Sequence, residues 1–387
     1  MRDFVFHNPC RIIFGKDTAA TVGAETAQYG RKILLVTGGG SIRKSGLYDR
    51  VVAGLQEQGI TYFEVGGVQP NPRLTSVYEG IRLCKQEGLE FILAVGGGSV
   101  VDAAKAMAAG AKYEGDVWDF FEQRAVIQDA LPLGDIITLA ATGTEMNGNA
   151  VVTKWETNQK LPIGSPLLIP RFSILDPALT ATVPRDQTVN GIVDIMAHVF
   201  EQYFSPTPAT ILVDRMAESV LKTMIEIAPA VLQNPADYDA RAEMLWSGTI
   251  ALNSLLSCGK ITDWATHMIE HEISAIYDIP HGAGLAIVFP NWMSQVMDNG
   301  LPKFKQYAER VWDVAAAGRS DREIALDGIE RTRQFFNRIG APATLGHYEI
   351  GPERIPEMAE KAVRFGPLGN FQELGKGDVE AILRRCL

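Results

Sequence analysis

At roughly 150 residues per domain, the 387 residues of this chain suffice for two or three domains whose cores need no disulfide. The net charge of -10 argues against a nucleic-acid-binding protein, because phosphate contacts require clustered lysine and arginine. Four separated cysteines without a CxxC pair, no signal-peptide pattern and no apolar run of about 18 residues predict a cytoplasmic protein with free thiols.

The first half of the chain predicts a parallel β-sheet covered by helices. Short apolar runs, each bounded by glycine or a polar turn, have the pattern of buried strands at residues 32–36, 61–65, 91–95 and 136–139. Helical periodicity over residues 47–58 and 74–86 lies between them, and such alternation is typical of an α/β fold. Residues 4–14 predict a β ribbon, which we interpret as a hairpin at the sheet edge.

Beyond Pro184 the strand pattern fades and helical periodicity takes over. Predicted helices cover residues 187–203, 209–232, 237–257, 264–277, 303–317, 321–338 and 355–365. We therefore predict two domains, an α/β domain over residues 1–184 and an all-helical domain over residues 185–387.

Two glycine loops follow predicted strands. The first covers residues 37–44 (TGGGSIRK), and the second covers residues 96–102 (GGGSVVD) and opens a helix. Glycine lets a backbone approach a phosphate closely, a helix N-terminus favours an anion, and Ser99 is predicted to cap that helix. A tight strand-to-helix turn would also need glycine, but two such loops after strands favour nucleotide binding over that alternative.

The first loop also bears on the choice of nicotinamide cofactor. A nearby carboxylate usually binds the ribose 2′-hydroxyl of NAD, whereas a basic residue accommodates the 2′-phosphate of NADP. This loop contains no acid and ends in Arg43 and Lys44, which favours NADP unless both cations merely face solvent. A third polar turn, residues 138–149, offers hydroxyl and amide groups that suit contacts to a nicotinamide or ribose.

The helical half combines an aspartate and several histidines at helical spacing. Asp194 and His198 lie four residues apart on one predicted helix, so both can reach one cation. His267 and His271 repeat that spacing on a second helix, and His281 follows just past its end. A lone histidine is more often an ordinary core or surface residue, but one aspartate with three histidines suits Zn²⁺ or Fe²⁺.

A zinc hydrolase is an alternative from another class. Residues 267–271 (HMIEH) match the H-x-x-E-H pattern of inverted zinc peptidases, in which Glu270 would be the general base. Five residues are easily matched by chance, and this alternative leaves the glycine loops and the Asp194–His198 pair without a role. A metal-stabilised binding protein without catalysis is a third alternative, which the loops and the full ligand set disfavour.

Nearly the whole chain resembles the iron-containing, or group III, alcohol dehydrogenase family, and within it the branch of NADPH-dependent butanol dehydrogenases and broad-range aldehyde reductases. The motifs that carry this resemblance are GGGSIRKSG (38–46), PNP (70–72), AVGGGSVVDAAK (94–105), ATGTE (141–145), ILDP (174–177), GIVDIMAH (191–198), DWATHMIEHE (263–272) and HGAGLAIVFP (281–290). It implies a dehydroquinate synthase-like fold, with an α/β dinucleotide-binding domain and an all-α metal-binding domain.

The resemblance also implies roles for individual residues. The ligands of one divalent ion, Fe²⁺ or Zn²⁺, fall on Asp194, His198, His267 and His281, whereas His271 matches a non-ligand histidine near the substrate and is a candidate proton relay. Positions that bind the cofactor NADP(H) fall on Gly38, Gly39, Gly40, Ser41, Asn71, Gly97, Gly98, Ser99, Asp102, Thr138, Thr142, Asn147 and Lys160.

The implied function is reduction of an aldehyde, such as butyraldehyde to butanol, by a homodimeric enzyme whose metal ion stabilises charge on the carbonyl oxygen. An NAD-linked polyol dehydrogenase of the same superfamily is the alternative within this class. Two features depart from the family. The third loop (AATGTEMN) is shorter than TSGTGSE-like forms, and Glu270 is not expected there, so we interpret it as a solvated helix residue.

Overall fold

The computed structural model describes all 387 residues, which form two compact units. The sheet unit consists of His7–Thr182 with Ala236–Leu245, and the helical unit of Met1–Phe6, Val183–Pro235 and Trp246–Leu387. None of the helices combines the length and the apolar composition needed to cross a lipid bilayer. The four cysteines form no disulfide, as their spacing predicts.

The strands all belong to the sheet unit. Their bounds are β1 (Arg11–Phe14), β2 (Lys32–Gly38), β3 (Thr61–Val68), β4 (Phe91–Gly96), β5 (Leu133–Ile137), β6 (Asn149–Lys154), β7 (Gln159–Gly164) and β8 (Phe172–Leu175). Six of them form a parallel sheet in the order β1-β8-β5-β4-β2-β3, and β6 pairs with β7 as an antiparallel hairpin. The central strands β4 and β5 are buried throughout, as parallel sheets covered by helices require.

Helices follow the strands of this unit in turn. Their bounds are α1 (Val22–Thr26), α2 (Ser41–Lys44), α3 (Leu47–Glu57), α4 (Leu74–Glu87), α5 (Gly98–Ala111) and α6 (Trp118–Phe121). One apolar core joins β2 and β4 to α3, and a stack of Tyr29, Phe91 and Phe172 extends it towards β8, with ring centroids 5.3 and 5.8 Å apart along the stack. The predicted helices at residues 47–58 and 74–86 are thus confirmed as α3 and α4.

The strand predictions were partly wrong. Strands β2, β3 and β4 match the predicted runs, but the run predicted at 136–139 is displaced, since β5 begins at Leu133 and leaves the sheet after Ile137. The predicted β ribbon over residues 4–14 reduces to β1, which pairs in parallel with β8 rather than in a hairpin. Residues 4–10 form no regular structure and pair with no strand; residues 4–6 belong to the helical unit.

The helical unit contains no strand, as predicted. The helices from α7 onward are α7 (Arg185–Tyr203), α8 (Ile211–Gln233), α9 (Tyr238–Ala251), α10 (Ala265–Tyr277), α11 (His281–Val296), α12 (Leu301–Val311), α13 (Asp321–Ile339), α14 (Ile355–Ala362) and α15 (Lys376–Arg385). The first part of α9 belongs to the sheet unit. The seven predicted helices are present, although α9 and α12 end about six residues earlier than predicted, and α11 and α15 were missed.

The sequence of α11 explains why it was missed. It contains Gly282, Gly284 and Pro290, residues that disfavour an isolated helix, and its apolar residues surround the helix rather than forming one stripe. Its residues from Gly282 to Met293 are all buried. Burial on every side removes the 3.6-residue periodicity on which sequence prediction depends.

Close helix packing predicts a stability difference between two glycine positions. A methyl group at Gly23 on α1 would lie 2.0 Å from the carbonyl oxygen of Gly54 on α3, whereas one at Gly377 on α15 would meet nothing within 4 Å. We expect Gly23→Ala to lower the free energy of unfolding by about 2 kcal/mol through overpacking. Gly377→Ala is the matched control and should be neutral or stabilising by about 0.5 kcal/mol. Urea denaturation of both variants measures this, and equal midpoints would contradict the packing argument.

Candidate functional site

The helical unit brings the four predicted metal ligands together from three helices. Asp194 and His198 lie on one face of α7, with His198 Nε2 3.8 Å from Asp194 Oδ1. His281, the first residue of α11, places its Nε2 3.7 Å from the same carboxylate oxygen. The ligating atoms of Asp194, His267 and His281 lie within 4.8 Å of one another, and the ring centroids of His198 and His267 are 4.9 Å apart.

The donor set of this cluster fits a divalent ion. One carboxylate and three imidazoles are the nitrogen and oxygen ligands that Zn²⁺ and Fe²⁺ accept. His267 Nδ1 contacts a carboxylate, while its Nε2 is buried and makes no hydrogen bond within the protein, which leaves that atom available to an ion. Burial, followed by the neighbouring His267 and His281, holds the pKa of His198 well below its usual range. His198 is therefore neutral, which is the form that binds metals.

Two buried glutamates support the histidines of this cluster. Glu201 Oε1 on α7 lies 2.7 Å from His267 Nδ1 and also accepts the hydrogen bond of the His267 backbone N–H. Glu270 Oε2 contacts His281 Nδ1. Both glutamates are fully buried, so the interpretation of Glu270 as a solvated helix residue was wrong. Its carboxylate reaches the first residue of α11 rather than solvent.

The fifth residue singled out in this half, His271, is also buried beside the cluster. Its ring centroid lies 5.4 Å from that of His281, and atoms of Glu270, His271 and His281 approach within 4.8 Å of one another. His271 is thus next to the proposed ligands without belonging to the group formed with Asp194.

Trp264 was missed by sequence reasoning. It precedes α10 and has a left-handed backbone (φ 74°), a conformation that a bulky residue rarely adopts. Its backbone N–H donates to Glu201 Oε2 at 2.7 Å, and its ring meets that of His267 edge-on with centroids 5.1 Å apart. The unusual backbone starts α10 at the point that delivers His267 to the cluster. Sequence patterns predict a positive φ at glycine but not at a tryptophan, which is why this residue was missed.

In the sheet unit, both glycine loops lie at the point where the strand order reverses. From β2 the chain passes to β3 on one side and then to β4 on the other side of β2. Thr37 and Val95 are paired neighbours in the two strands, so the loops that follow them start side by side. Open α/β sheets bind ligands at this switch point, at the carboxyl ends of the strands.

Glycine is required at different positions of these loops for different physical reasons. Gly40 has φ +109° and allows α2 to begin at Ser41, while a methyl group at Gly98 would lie 2.6 Å from Thr142 Oγ1 in the third loop. The second loop and the third loop are therefore in contact. The cap prediction for Ser99 was wrong, because α5 starts at Gly98 with Gly97 at its N-cap position, which leaves Ser99 inside the first turn. The first two N–H groups of a helix have no carbonyl partner within it, and here they belong to Gly98 and Ser99.

The first loop has an acidic neighbour that sequence reasoning missed. Glu64 on β3 accepts a hydrogen bond from Thr37 Oγ1 at 3.1 Å and from Tyr48 Oη at 2.8 Å, and it pairs with Arg43 at 2.6 Å. The Arg43 guanidinium also stacks on the Tyr48 ring at 3.5 Å. Arg43 is thus engaged within the protein, whereas Lys44 is exposed. Glu64 is distant in sequence and reaches the loop only because β2 and β3 pair.

The third loop is held by a buried lysine that the sequence analysis did not single out. Lys105 on α5 is fully buried, and five oxygen atoms of Thr144, Asn147 and Asn149 lie within 3.2 Å of its Nζ. Asp102, one turn earlier, accepts from Thr144 Oγ1 at 2.8 Å and from the backbone N–H of Val151 at 3.0 Å. Burial lowers the pKa of Lys105 to about 8. The i, i+3 spacing of an acid and a lysine in an apolar helix was the available signal.

The other predicted cofactor positions lie in or next to these loops. Thr138 donates its backbone N–H to the Gly96 carbonyl at 2.9 Å, which joins the third loop to the second. The side chain of Asn147 bonds within its own loop, since Nδ2 donates to the Gly143 carbonyl at 2.8 Å. Asn71 is buried with a left-handed backbone after β3, and Lys160 is buried on β7. Gly39 has nothing within 4 Å of an added Cβ, so that point of the first loop is open.

Two family patterns together match most of the chain. The pattern described as "Iron-containing alcohol dehydrogenase" matches residues 9–177, and that described as "Fe-containing alcohol dehydrogenase family, C-terminal" matches residues 188–387. The chain is 50% identical to the "Probable NADH-dependent butanol dehydrogenase 1" of Bacillus subtilis, over the whole of both proteins. It is 38% identical to the "NADPH-dependent aldehyde reductase YqhD" of Escherichia coli, over 95% of this chain and 94% of that protein.

A solved structure has the same fold. The "NADH-dependent butanol dehydrogenase A" of Thermotoga maritima superposes with a TM-score of 0.96 at 42% sequence identity, covering 100% of this chain and 99% of that one.

The contacts of Lys105 predict a large effect of removing its charge. Lys105→Met leaves several buried oxygen atoms without a donor and Asp102 without its neighbouring cation, so we expect a loss of about 3 kcal/mol in the free energy of unfolding. Lys112→Met is the control, at an exposed lysine just past the end of the same helix. It should change the free energy of unfolding by less than about 0.5 kcal/mol. Urea denaturation compares the two variants. A loss no larger for Lys105 than for Lys112 would show that the lysine does not hold the third loop.

Proposed function

Since the chain belongs to the iron-containing alcohol dehydrogenase family, we propose that it interconverts aldehydes and primary alcohols with NADP(H) and one divalent metal ion, mainly as an aldehyde reductase. The buried cluster of one aspartate and three histidines is the observation that carries this proposal. Relatives named butanol dehydrogenase and aldehyde reductase support butyraldehyde as a test substrate. The hydrolase alternative loses its general base, because Glu270 is buried against His281.

We assign the ion, Fe²⁺ or Zn²⁺, to Asp194, His198, His267 and His281. Such an ion supplies Lewis-acid chemistry that polarises a carbonyl and stabilises negative charge on its oxygen. The protein contributes oriented imidazoles: burial lowers the pKa of His198, and carboxylates on Nδ1 of His267 and His281 orient those rings. The cofactor supplies the hydride, and the protein holds the reacting groups in position.

We propose His271 as the residue that moves the proton to or from the alcohol oxygen. It is buried beside His281, with ring centroids 5.4 Å apart, and it is not one of the four ligands assigned above. Histidine transfers protons near neutral pH because its usual pKa lies there.

For the cofactor, we propose the loops that follow β2, β4 and β5 as the binding site, with the pyrophosphate at the N-terminus of α5. The open space at Gly39 and the exposed Lys44 support a preference for NADPH. Glu64 already bonds to Arg43, Tyr48 and Thr37. Its carboxylate is therefore less available to accept a hydrogen bond from a ribose hydroxyl. Two observations favour NADH as the alternative: the carboxylate of Glu64 itself, and relatives of 42–50% identity named NADH-dependent.

We further propose that residues 1–184 and 185–387 divide the work into cofactor binding and metal binding, and that the enzyme is a cytoplasmic homodimer. The N-terminal segment supports the dimer. Phe4, Val5 and Phe6 are exposed apolar residues, and β1 is an edge strand with only β8 as a neighbour. Exposed apolar segments next to an open sheet edge are typical of protein interfaces.

The ligand assignment predicts the behaviour of two histidine variants. His267→Ala and His281→Ala should each lose the ion and most of the aldehyde reductase activity while remaining folded, because a site with three ligands holds a divalent ion much less tightly. His347→Ala, at an exposed histidine, is the control and should retain both. Metal analysis after dialysis, with circular dichroism for folding, measures this. Stoichiometric metal in both site variants would refute the assignment.

The cofactor proposal predicts a change of preference at Gly39. Gly39→Asp places a carboxylate in the open part of the first loop, where it repels a 2′-phosphate, so kcat/KM with NADPH should fall at least about tenfold, or about 1.4 kcal/mol, relative to NADH. Gly39→Asn has the same size without the charge and should change the ratio much less. Glu64→Gln tests the alternative, since a fall in efficiency with NADH alone would assign the ribose contact to Glu64. Wild-type rates that favour NADH would overturn the NADPH preference.

A further inference from the structure

Two of the proposed ligand histidines are each backed by a buried glutamate from another helix. Glu201 on α7 contacts Nδ1 of His267 on α10, and Glu270 on α10 contacts Nδ1 of His281 on α11. The two pairs link α7 to α10 and α10 to α11 in series. In the second pair the opposite ring nitrogen, His281 Nε2, lies 3.7 Å from Asp194 Oδ1.

We propose that Glu270 is a positioning residue that sets the orientation and the proton position of His281, and that Gly284 is glycine in order to make room for it. This inference rests on the ligand set proposed above and adds a residue that acts through one of those ligands. A carboxylate on Nδ1 keeps the ring proton on that atom, which leaves the lone pair of Nε2 facing Asp194.

The space for Glu270 is supplied by the first turn of α11. His281 and Gly284 are three residues apart and so lie on the same face of that helix. A methyl group at Gly284 would lie 2.6 Å from Glu270 Cγ and 2.7 Å from its Oε1. One at Gly282 would lie 2.2 Å from the Asn190 carbonyl oxygen on α7. The two glycines therefore have separate tasks, since Gly282 brings α11 against α7 and Gly284 admits the carboxylate beneath His281.

Because Glu270 is buried, losing its contact with His281 Nδ1 would be energetically unfavourable. The residue is fully buried, and a buried carboxylate is stabilised only by groups that bond to it. Its neighbour Glu272 provides a contrast on the same helix: it is equally buried but pairs with Arg364 rather than with a histidine of the cluster. The two glutamates are therefore a matched pair that differs in what the carboxylate touches.

The experiment measures Co²⁺ binding by the full-length, metal-stripped protein. Co²⁺ affinity is determined by competition with a chelator, and the visible absorption spectrum of the bound ion reports its ligand geometry. Glu270→Gln should weaken Co²⁺ binding by about 10- to 100-fold and alter the spectrum, because removing a partner of a ligand histidine has effects of that size. Glu272→Gln should leave both the affinity and the spectrum as in the wild type.

A double-mutant cycle tests the role of Gly284. Gly284→Ala should also weaken Co²⁺ binding, because the added methyl group displaces the Glu270 carboxylate without changing its charge. In a Glu270→Ala background the same substitution meets no carboxylate and should have little further effect. Equal effects of Gly284→Ala in both backgrounds would show that the glycine serves another purpose.

The outcomes separate this inference from the proposed function. Wild-type protein that binds no Co²⁺ would overturn the ligand set itself. Wild-type protein that binds one Co²⁺, with Glu270→Gln unchanged in affinity and spectrum, would overturn only the role of Glu270. If the variants fail to fold, the ¹⁵N resonances of His281 in the metal-free wild-type protein decide: Nδ1 must carry a proton, and an unprotonated Nδ1 would refute the inference.

Discussion

Both ring nitrogens of a buried imidazole need a hydrogen-bond partner or a metal ion. The arrangement of the helical unit depends on how these partners are supplied. An unpaired polar atom buried between α7, α10 and α11 costs about 1–3 kcal/mol, and of the four proposed ligands only His281 is partly exposed. Glu201 satisfies one nitrogen of His267 and Glu270 satisfies one of His281. The second nitrogen of each ring is then held near Asp194, where an ion can bind it. Each carboxylate–histidine pair also joins two helices, so the contacts that orient the ligands hold the unit together.

In the sheet unit, too, a buried polar group must be given bonding partners, but here the group is a cation. Lys105 is a cation buried beneath the third loop, and the carbonyl and side-chain oxygens of that loop turn inward to surround it. Asp102 lies on the same helix and bonds both to the loop and to β6. An irregular polar segment is thereby fixed next to the two glycine loops at the switch point of the sheet. Rigid positioning of loops is what a dinucleotide site requires.

Glu64 is the carboxylate that bears on the proposed cofactor preference. The pairing of β2 with β3 carries a carboxylate to the first glycine loop, and Arg43 folds back over Tyr48 to meet it. An acid and a base that neutralise each other leave little net charge for a ribose or a phosphate.

The sequence by itself determined the α/β and all-helical halves, the two glycine loops and a group of one aspartate and four histidines, because these signals are local: apolar periodicity, glycine runs and i, i+4 spacing. The family resemblance then selected the four candidate ligands from that group. It missed α11 because burial on all sides erased the periodicity, and it expected a hairpin at residues 4–14 that has no partner strand in the unit. Only the tertiary structure decided the tasks of Glu270, Glu64 and Lys105. Each acts on residues of another helix, strand or loop, and a buried charge is defined by what surrounds it rather than by its place along the chain.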